Sequence, residues 1–282
     1  MGSTDSGFQL TRLDGLTCLQ STLLNRCELI DHAFSTRLGG LSGGFLSSLN
    51  TAFHTGDKIE HVLENRRLLL NHWGYRPEEI VAGSQVHGVT VFPVAAQDRG
   101  RGAEPGTFLA EADALVTAEP GIVLTAYAAD CLLLYIAEPH IPVIALAHAG
   151  WRGTLSAMAV LVVDFMQARY GVDPSHLLAA ISPGICPGCY RVNEETAGRF
   201  KLAGWGGEPY LEEDGQGSYR LDLPRINAAQ LINAGIAAHN LAQTGFCTSC
   251  RPDLFYSYRR ERGLTGRMMG FLAIKPEKEM IA

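Results

Sequence analysis

Cys131 to Gly153 reads CLLLYIAEPHIPVIALAHAGWRG: two apolar runs, Leu132 to Ala137 and Pro142 to Ala147, separated by Glu138, Pro139, His140 and Ile141. Runs of this length, bounded by turn residues, read as strands. Strands so close in sequence are joined by a turn and pair antiparallel, so the sheet that holds them is expected to be antiparallel or mixed. The second run enters a glycine-flanked turn, Gly150 to Gly153, and then a helix read from about Thr154 to Tyr170. Between its ends that helix has one acid, Asp164, and one base, Arg169, so it is expected to be largely buried. Neither apolar stretch, Cys131 to Ala147 or Leu155 to Met166, offers the ~20 clean residues of a membrane span.

Working outward, further strands are read at Val89 to Val94, Ala114 to Thr117, Ile122 to Tyr127, Leu177 to Ser182, Leu254 to Tyr258 and Met268 to Ile274. A helix is expected to start at Asp57, where Asp57 and Glu60 have capping-box spacing, and to end at Gly74. Its apolar face is Val62, Leu63, Leu69, Leu70 and Trp73. Two more helices are read near Asn193 to Leu202 and Pro224 to Ala238, and the glycine-rich, acidic stretch Gly204 to Ser218 as an exposed loop. This order is not a regular βαβ alternation. With no repeat and no linker, the 282 residues are expected to form one domain, preceded by a flexible segment over residues 1–12.

Composition narrows the functional class. A chain with 46% hydrophobic and 18% charged residues is neither disordered nor collagen-like. With 29 acids against 23 bases, a role resting on nucleic-acid or anionic-membrane charge is not expected. Seven cysteines and an N-terminus, Met1 to Gly7, without a basic and then apolar signal point to cytoplasmic residence with reduced thiols.

Three residues at strand ends could carry chemistry: His87 in Ser84-Gln85-Val86-His87-Gly88, Cys131 after Ala128-Ala129-Asp130, and His148 before Ala149-Gly150-Trp151-Arg152-Gly153. Each alone is plainly read as a locally satisfied side chain. Together, two imidazoles and a thiolate make a good zinc set with a fourth position left open, although spacing does not say that they converge. The strand-to-helix turn at Gly150 to Gly153, with Arg152 beside it, would suit a phosphate, or would simply need glycine for its geometry. Two Cys-x-x-Cys pairs, Cys186/Cys189 and Cys247/Cys250, could hold zinc or form a redox disulfide, but the long intervening stretch favours reduced thiols packed near turns. Among nine histidines there is no His-x-His, which argues against a multicopper site. The zinc nucleoside-deaminase signature is also absent, for there is no His-x-Glu and no proline directly before either cysteine pair.

A set of motifs in order carries a family resemblance. They are Phe34-Ser35-Thr36-Arg37 with Gly39-Gly40 and Ser42, Asn50 with Gly56-Asp57, Asn65-Arg66, Gln85 to Gly88, Ala112-Asp113-Ala114-Leu115-Val116-Thr117, Ala129 to Cys131, and Ala147 to Gly153. Cys189-Tyr190, Asp222-Leu223, Asn227 with Gln230-Leu231, Cys247-Thr248, Ser257-Tyr258-Arg259 and Thr265-Gly266-Arg267-Met268 follow. In these the chain resembles the YfiH-like family, long labelled multicopper polyphenol oxidoreductase or laccase-domain proteins. The resemblance implies an α+β fold, central mixed β-sheets flanked by helices in α/β/β/α-like layers, in a single catalytic domain over residues 13–277. It also implies zinc on His87, Cys131 and His148; copper binding in vitro is left open, with zinc the expected native ion.

The implied activity is phosphorolysis of adenosine, inosine, guanosine and methylthioadenosine to base and ribose 1-phosphate, with deamination of adenosine. A second line of the family edits peptidoglycan, removing a wrongly incorporated serine from a UDP-muramyl precursor. Leu133 where many members have proline, Ser182-Pro183 for glycine-proline, and Arg191 for the usual acid are departures that touch the pocket's details. On this reading Arg37 and Arg152 bind phosphate, Gln85 binds base or ribose, and Asp130 supplies a proton or orients a ligand. Two rivals are an amide hydrolase with Cys131 as nucleophile and a histidine as base, and a non-enzymatic metal-binding module. The expected partners are purine nucleoside and phosphate, not nucleic acid or membrane, and self-association is left open.

Overall fold

The computed structural model describes residues 7–215 and 217–276. In chain order the strands are β1 Phe8–Leu13, β2 Leu16–Ser21, β3 Ile30–Ser35, β4 Ile80–Ala82, β5 Val91–Pro93, β6 Ala114–Thr117, β7 Val123–Ala128 and β8 Leu132–Glu138. They continue with β9 Val143–Ala149, β10 Leu178–Ile181, β11 Arg191–Asn193, β12 Leu211–Glu213, β13 Ser218–Leu221, β14 Leu241–Gln243 and β15 Met268–Ile274. The α-helices are α1 Ile59–Asn71, α2 Trp151–Leu155, α3 Met158–Tyr170, α4 Glu194–Phe200 and α5 Leu223–Asn233.

Side chains along β8 alternate between two apolar layers, Leu132, Leu134 and Ile136 on one side, Leu133, Tyr135 and Ala137 on the other. A strand apolar on both faces must be covered on both faces, and β8 is. It pairs antiparallel with β9 from Leu132 opposite Ala149 to Glu138 opposite Val143, as the sequence leads one to expect. Around this hairpin a six-stranded sheet runs β14-β10-β8-β9-β6-β5, with β10–β14 and β5–β6 parallel. A second six-stranded sheet runs β1-β2-β3-β15-β7-β4, parallel only at β4–β7.

The two sheets face each other across one core, where Phe34, Leu124 and Leu272 meet Leu133, Tyr135 and Ile144. Each fully buried leucine here contributes roughly 1.5–3 kcal/mol. Tyr135 Oη donates across the gap to the Ala33 carbonyl at 3.0 Å. The sheets approach so closely at β15 that a Cβ on Gly270 would stand 2.2 Å from Tyr135 Oη and 2.4 Å from Leu133 Cδ1. On the outer faces, α1 covers Val123, Tyr127 and Phe271 with Leu69 and Leu70, while α3 and α5 cover Ala145 and Ile136 with Val162, Val163, Ile226 and Leu231. The result is the expected α+β domain in helix, sheet, sheet, helix layers. No helix among the described residues is long and apolar enough to cross a membrane.

Several local expectations are corrected. The segment expected to be flexible through residue 12 is strand from Phe8, because β1 pairs along its whole length with β2; residues 1–6 and 277 lie outside the described residues. Asp57 does not cap α1. It instead accepts from Ser42 Oγ at 2.6 Å and Asn50 Nδ2 at 2.9 Å, and α1 starts at Ile59. The helix read from Thr154 is two helices, starting at Trp151 and broken at Ala157, which has φ +58°. The break is held from α5, whose Asn227 and Gln230 amides donate to the Thr154 hydroxyl and carbonyl, each at 2.8 Å. That same α5 ends at Asn233, short of Ala238.

Leu254 to Tyr258 is not a strand. Phe255 and Tyr256 are buried, but their backbone joins no sheet: Phe255 N donates to the Arg251 carbonyl, and Tyr256 N to Met268 Sδ at 3.2 Å. The stretch Gly204 to Ser218 is not simply a loop either, since β12 and the start of β13 lie in it and, with β11, form a three-stranded sheet. Asp214, just past the end of β12, binds Arg191 and Arg220 of that sheet at 2.6 and 2.5 Å.

Candidate metal centre

Asp113, at the entry to β6, organises the site. Its buried carboxylate accepts from the amides of Val86, His87 and Gly88 at 3.2, 3.1 and 2.7 Å, which fixes the loop that carries His87. That loop holds His87 at φ +60°, an uncommon conformation for a non-glycine residue. Asp113 Oδ1 also meets His148 Nδ1 at 2.8 Å, leaving the other ring nitrogen for the site. Cys131 comes from the turn between β7 and β8, where Asp130 is held at φ +94°. The turn is pinned by Thr248 Oγ1 and the Arg259 amide, which donate to the Asp130 carboxylate at 2.6 and 2.7 Å.

His87, Cys131 and His148 thus come together, with all three donor atoms within 4.8 Å of one another. Cys131 Sγ is 4.0 Å from His87 Nε2, close to the roughly 3.5 Å edge of a tetrahedron with zinc–sulfur and zinc–nitrogen bond lengths. A Cβ on Gly150 would press on this group, 2.9 Å from Cys131 Sγ and 3.1 Å from the His87 ring. Burial raises the Cys131 thiol, but His148 and then His87 outweigh it and bring the thiol down to about 6. Burial would lower His148, but the Cys131 thiolate and the Asp113 carboxylate carry it up to about 9. Asp113 itself stays below the usual carboxylate range, since its partnership with His148 and the loop amides outweighs burial. A thiolate and imidazoles backed by a carboxylate form a donor set suited to a metal ion.

The three donors sit on the floor of a cavity of about 770 Å³. Trp151, Tyr190 and Tyr258 give it aromatic walls, and Arg152, Arg259 and Arg267 give it cations. Such a volume suits a small-molecule ligand.

The other sequence-predicted residues fare differently. Arg152 lines the cavity, stacked over Trp151 at 4.4 Å. Arg37 does not line it, because Glu261 at 3.0 Å, the Ser47 carbonyl at 2.9 Å and the Tyr256 ring take up its guanidinium. Gln85 lines the cavity, yet both ends of its amide are bonded to the Tyr127 backbone at 2.9 and 2.8 Å, so it holds a strand rather than a ligand. Asp130 also lines it with both oxygens engaged, and it positions the Cys131 turn rather than offering a free acid. Nor does Thr154 present a free amide to an anion, for its N–H donates to the Gly150 carbonyl at 2.9 Å.

Sequence reasoning missed Asp113 as the buried support of the site and Arg259, Arg267 and Tyr258 as cavity residues, although all four stand inside the motif blocks that carry the resemblance. Arg267 is fixed by Thr265 and Gly266 carbonyls at 2.9 and 3.0 Å, and Arg259 lies over the Tyr190 ring at 4.8 Å.

Comparison with known proteins agrees with this architecture. The family described as multi-copper polyphenol oxidoreductase laccase matches residues 31–275. The chain is 38% identical over 245 residues to a protein of Geobacillus stearothermophilus named purine nucleoside phosphorylase YlmD, covering 86% of this chain and 89% of that one. It is 32% identical over 231 residues to adenosine deaminase RL5 from an unknown prokaryotic organism, covering 81% and 88%. The crystal structure of YlmD from Geobacillus stearothermophilus superposes with a TM-score of 0.89 at 35% identity, covering 96% of this chain and 100% of that one.

Proposed function

The chain belongs to the YfiH-like, laccase-labelled family, and from that membership and the geometry of its cavity we propose that it is a zinc-dependent purine nucleoside phosphorylase that also deaminates adenosine. The observation that carries the proposal is the convergence of His87, Cys131 and His148 on the floor of a cavity whose wall bears Arg259 and Arg267. The donor set fits zinc, being two imidazoles and a low-pKa thiol with Asp113 behind His148. Zinc held by these three residues would supply a Lewis acid to the cavity.

In phosphorolysis a phosphate oxygen bonds to the anomeric carbon of the ribose, the bond to the purine breaks, and the base leaves with the electron pair and takes a proton. Arg259, Arg267 and Arg152 hold the phosphate dianion by charge-assisted hydrogen bonds. Trp151, Tyr190 and Tyr258 supply faces on which a purine stacks. The leaving base is not served by Asp113 or Asp130, whose oxygens already accept from buried partners. Tyr190 is a protic group of the same wall, and burial pushes its phenol up to about 12, so it stays protonated at neutral pH. The substrate range proposed is adenosine, inosine, guanosine and methylthioadenosine, and the place is the cytoplasm, in keeping with seven unpaired cysteines.

The test is product analysis with inosine and phosphate. Zinc-loaded protein is expected to release hypoxanthine and ribose 1-phosphate only when phosphate is present, and Cys131→Ala to fall to background. No base release from any of the four nucleosides would overturn the reading.

One observation favours a second reading. Cys131, His148 and Asp113 also form the series thiol, imidazole, carboxylate of a cysteine hydrolase, which would suit amide cleavage in a serine-bearing UDP-muramyl precursor. That reading predicts activity on such an amide that survives chelation and is lost on alkylation of Cys131. A non-enzymatic metal module has no such support, because structural zinc sites are closed and this one faces a cavity.

A further inference from the structure

The sequence spacing argued against a joint role for the two Cys-x-x-Cys pairs, and the fold overturns that argument. Strands β10 and β14 are parallel neighbours at the edge of one sheet, with Ala179 opposite Leu241 and Ile181 opposite Gln243. The loops that leave them therefore leave in the same direction. Cys186 and Cys189 stand on the first loop, Cys247 and Cys250 on the second. A further bridge between Gly184 and Cys247, with Thr248 N donating to the Gly184 carbonyl at 3.0 Å, zips the loops together.

All four sulfurs lie within 4.8 Å of one another, with Cys189 and Cys250 at 3.4 Å and Cys186 and Cys250 at 3.9 Å. A tetrahedron with zinc–sulfur bonds of about 2.3 Å has edges of roughly 3.8 Å. The Cys186 amide donates to Cys247 Sγ at 3.3 Å, and the Cys189 amide closes a turn onto the Cys186 carbonyl at 3.0 Å. The first of these amides, pointed at sulfur, favours thiolate at Cys247, the form that binds metal.

We propose that Cys186, Cys189, Cys247 and Cys250 bind a second zinc ion, in a closed four-thiolate site that is structural and separate from the cavity floor. The donor sets of the two sites differ in kind. The cavity site has two nitrogens, one sulfur and an open side, whereas four sulfurs fill a tetrahedron and leave no position for substrate. None of the four cysteines lines the cavity, but residues beside them do its carpentry: Tyr190 and Ile185 line it, and Thr248 holds the Asp130 carboxylate. The second zinc thus ties two loops from one sheet edge into the wall that supports Cys131. This inference does not depend on the nucleoside reading, since a closed site is compatible with any reaction in the cavity.

The test is metal content of the full chain purified with a thiol reductant, together with cobalt(II) substitution. Two zinc ions per chain are expected in the wild type and one in Cys131→Ala, whose remaining metal should show a thiolate-to-cobalt charge-transfer band. The double variant C189S/C250S should also hold one zinc, and its cobalt form should lose most of that band's intensity. Because Cys131→Ala leaves all four cysteines in place, the proposal stays testable even if the double variant does not fold. A Cys131→Ala protein without zinc would overturn the proposal. So would iron in place of zinc, or a Cys189–Cys250 disulfide found by mass spectrometry of the unreduced wild type.

Discussion

His32 and His148 are each 3% exposed and each lies on a strand inside one of the two large sheets, yet they are pushed in opposite directions. Burial brings His32 down to about 4, and its Nε2 accepts the Ser21 amide at 2.8 Å, a bond that uses the lone pair of a neutral ring. Burial acts on His148 in the same sense but is overcome by the thiolate and carboxylate beside it, which carry it to about 9. Depth in the fold therefore does not decide what a histidine does. An apolar and backbone environment makes His32 a packing residue with an edge-on contact to Tyr135 at 6.2 Å, while two acidic neighbours make His148 part of a site.

The contrast can be broken at either end. The largest effect expected is on stability at the His32 end. Its folded pKa lies below the unfolded value near 6.5, so its contribution is fully present above pH 6.5 and is lost as pH falls toward 4. The loss amounts to about 3 kcal/mol, and in His32→Gln that part of the slope should vanish. Urea titrations at several pH values check this, and an unchanged slope in the variant would mean that His32 is not the neutral partner described. At the His148 end, Asp113→Asn keeps the shape but removes the charge. Zinc affinity at the cavity site is expected to drop by roughly 10- to 100-fold, read by competition with a chelator. The smallest effect is expected for Arg267→Ala, which should raise the KM for phosphate about tenfold while leaving zinc content unchanged. An unaltered KM would remove Arg267 from the phosphate site and leave Arg259 and Arg152 to hold the anion.

What was legible in the sequence depended on the range of the interaction that sets it. The β8–β9 hairpin rests on apolar runs and a short turn, both local, and was readable almost to the residue. The three donors stood out as polar side chains beside apolar runs, although His87 lies in the loop between β4 and β5 and not at a strand end, and their meeting depends on sheet order, which spacing does not contain. Asp113 left a weaker trace, a single acid between Ala112 and Ala114 at the start of an apolar strand. Arginines were indistinguishable by type. Arg37 is withdrawn by Glu261 from the far end of the chain, a pairing no local pattern announces. The cysteine pairs were misread for a similar reason, since what unites them is the parallel neighbourhood of β10 and β14, two strands distant in sequence.

Strand β15 has a consequence for the order in which the protein is made. It is the last strand of the described chain, and it lies in the middle of its sheet, bonded to β3 on one side and β7 on the other. On the ribosome, β3 and β7 are therefore synthesised long before the strand that joins them, and each waits with an unpaired edge able to recruit foreign strands. A message cut short ahead of residue 268 would yield two halves of a sheet with nothing between them. Until residues 268–274 emerge, the nascent chain therefore carries two half-sheets whose facing edges, β3 and β7, stay open.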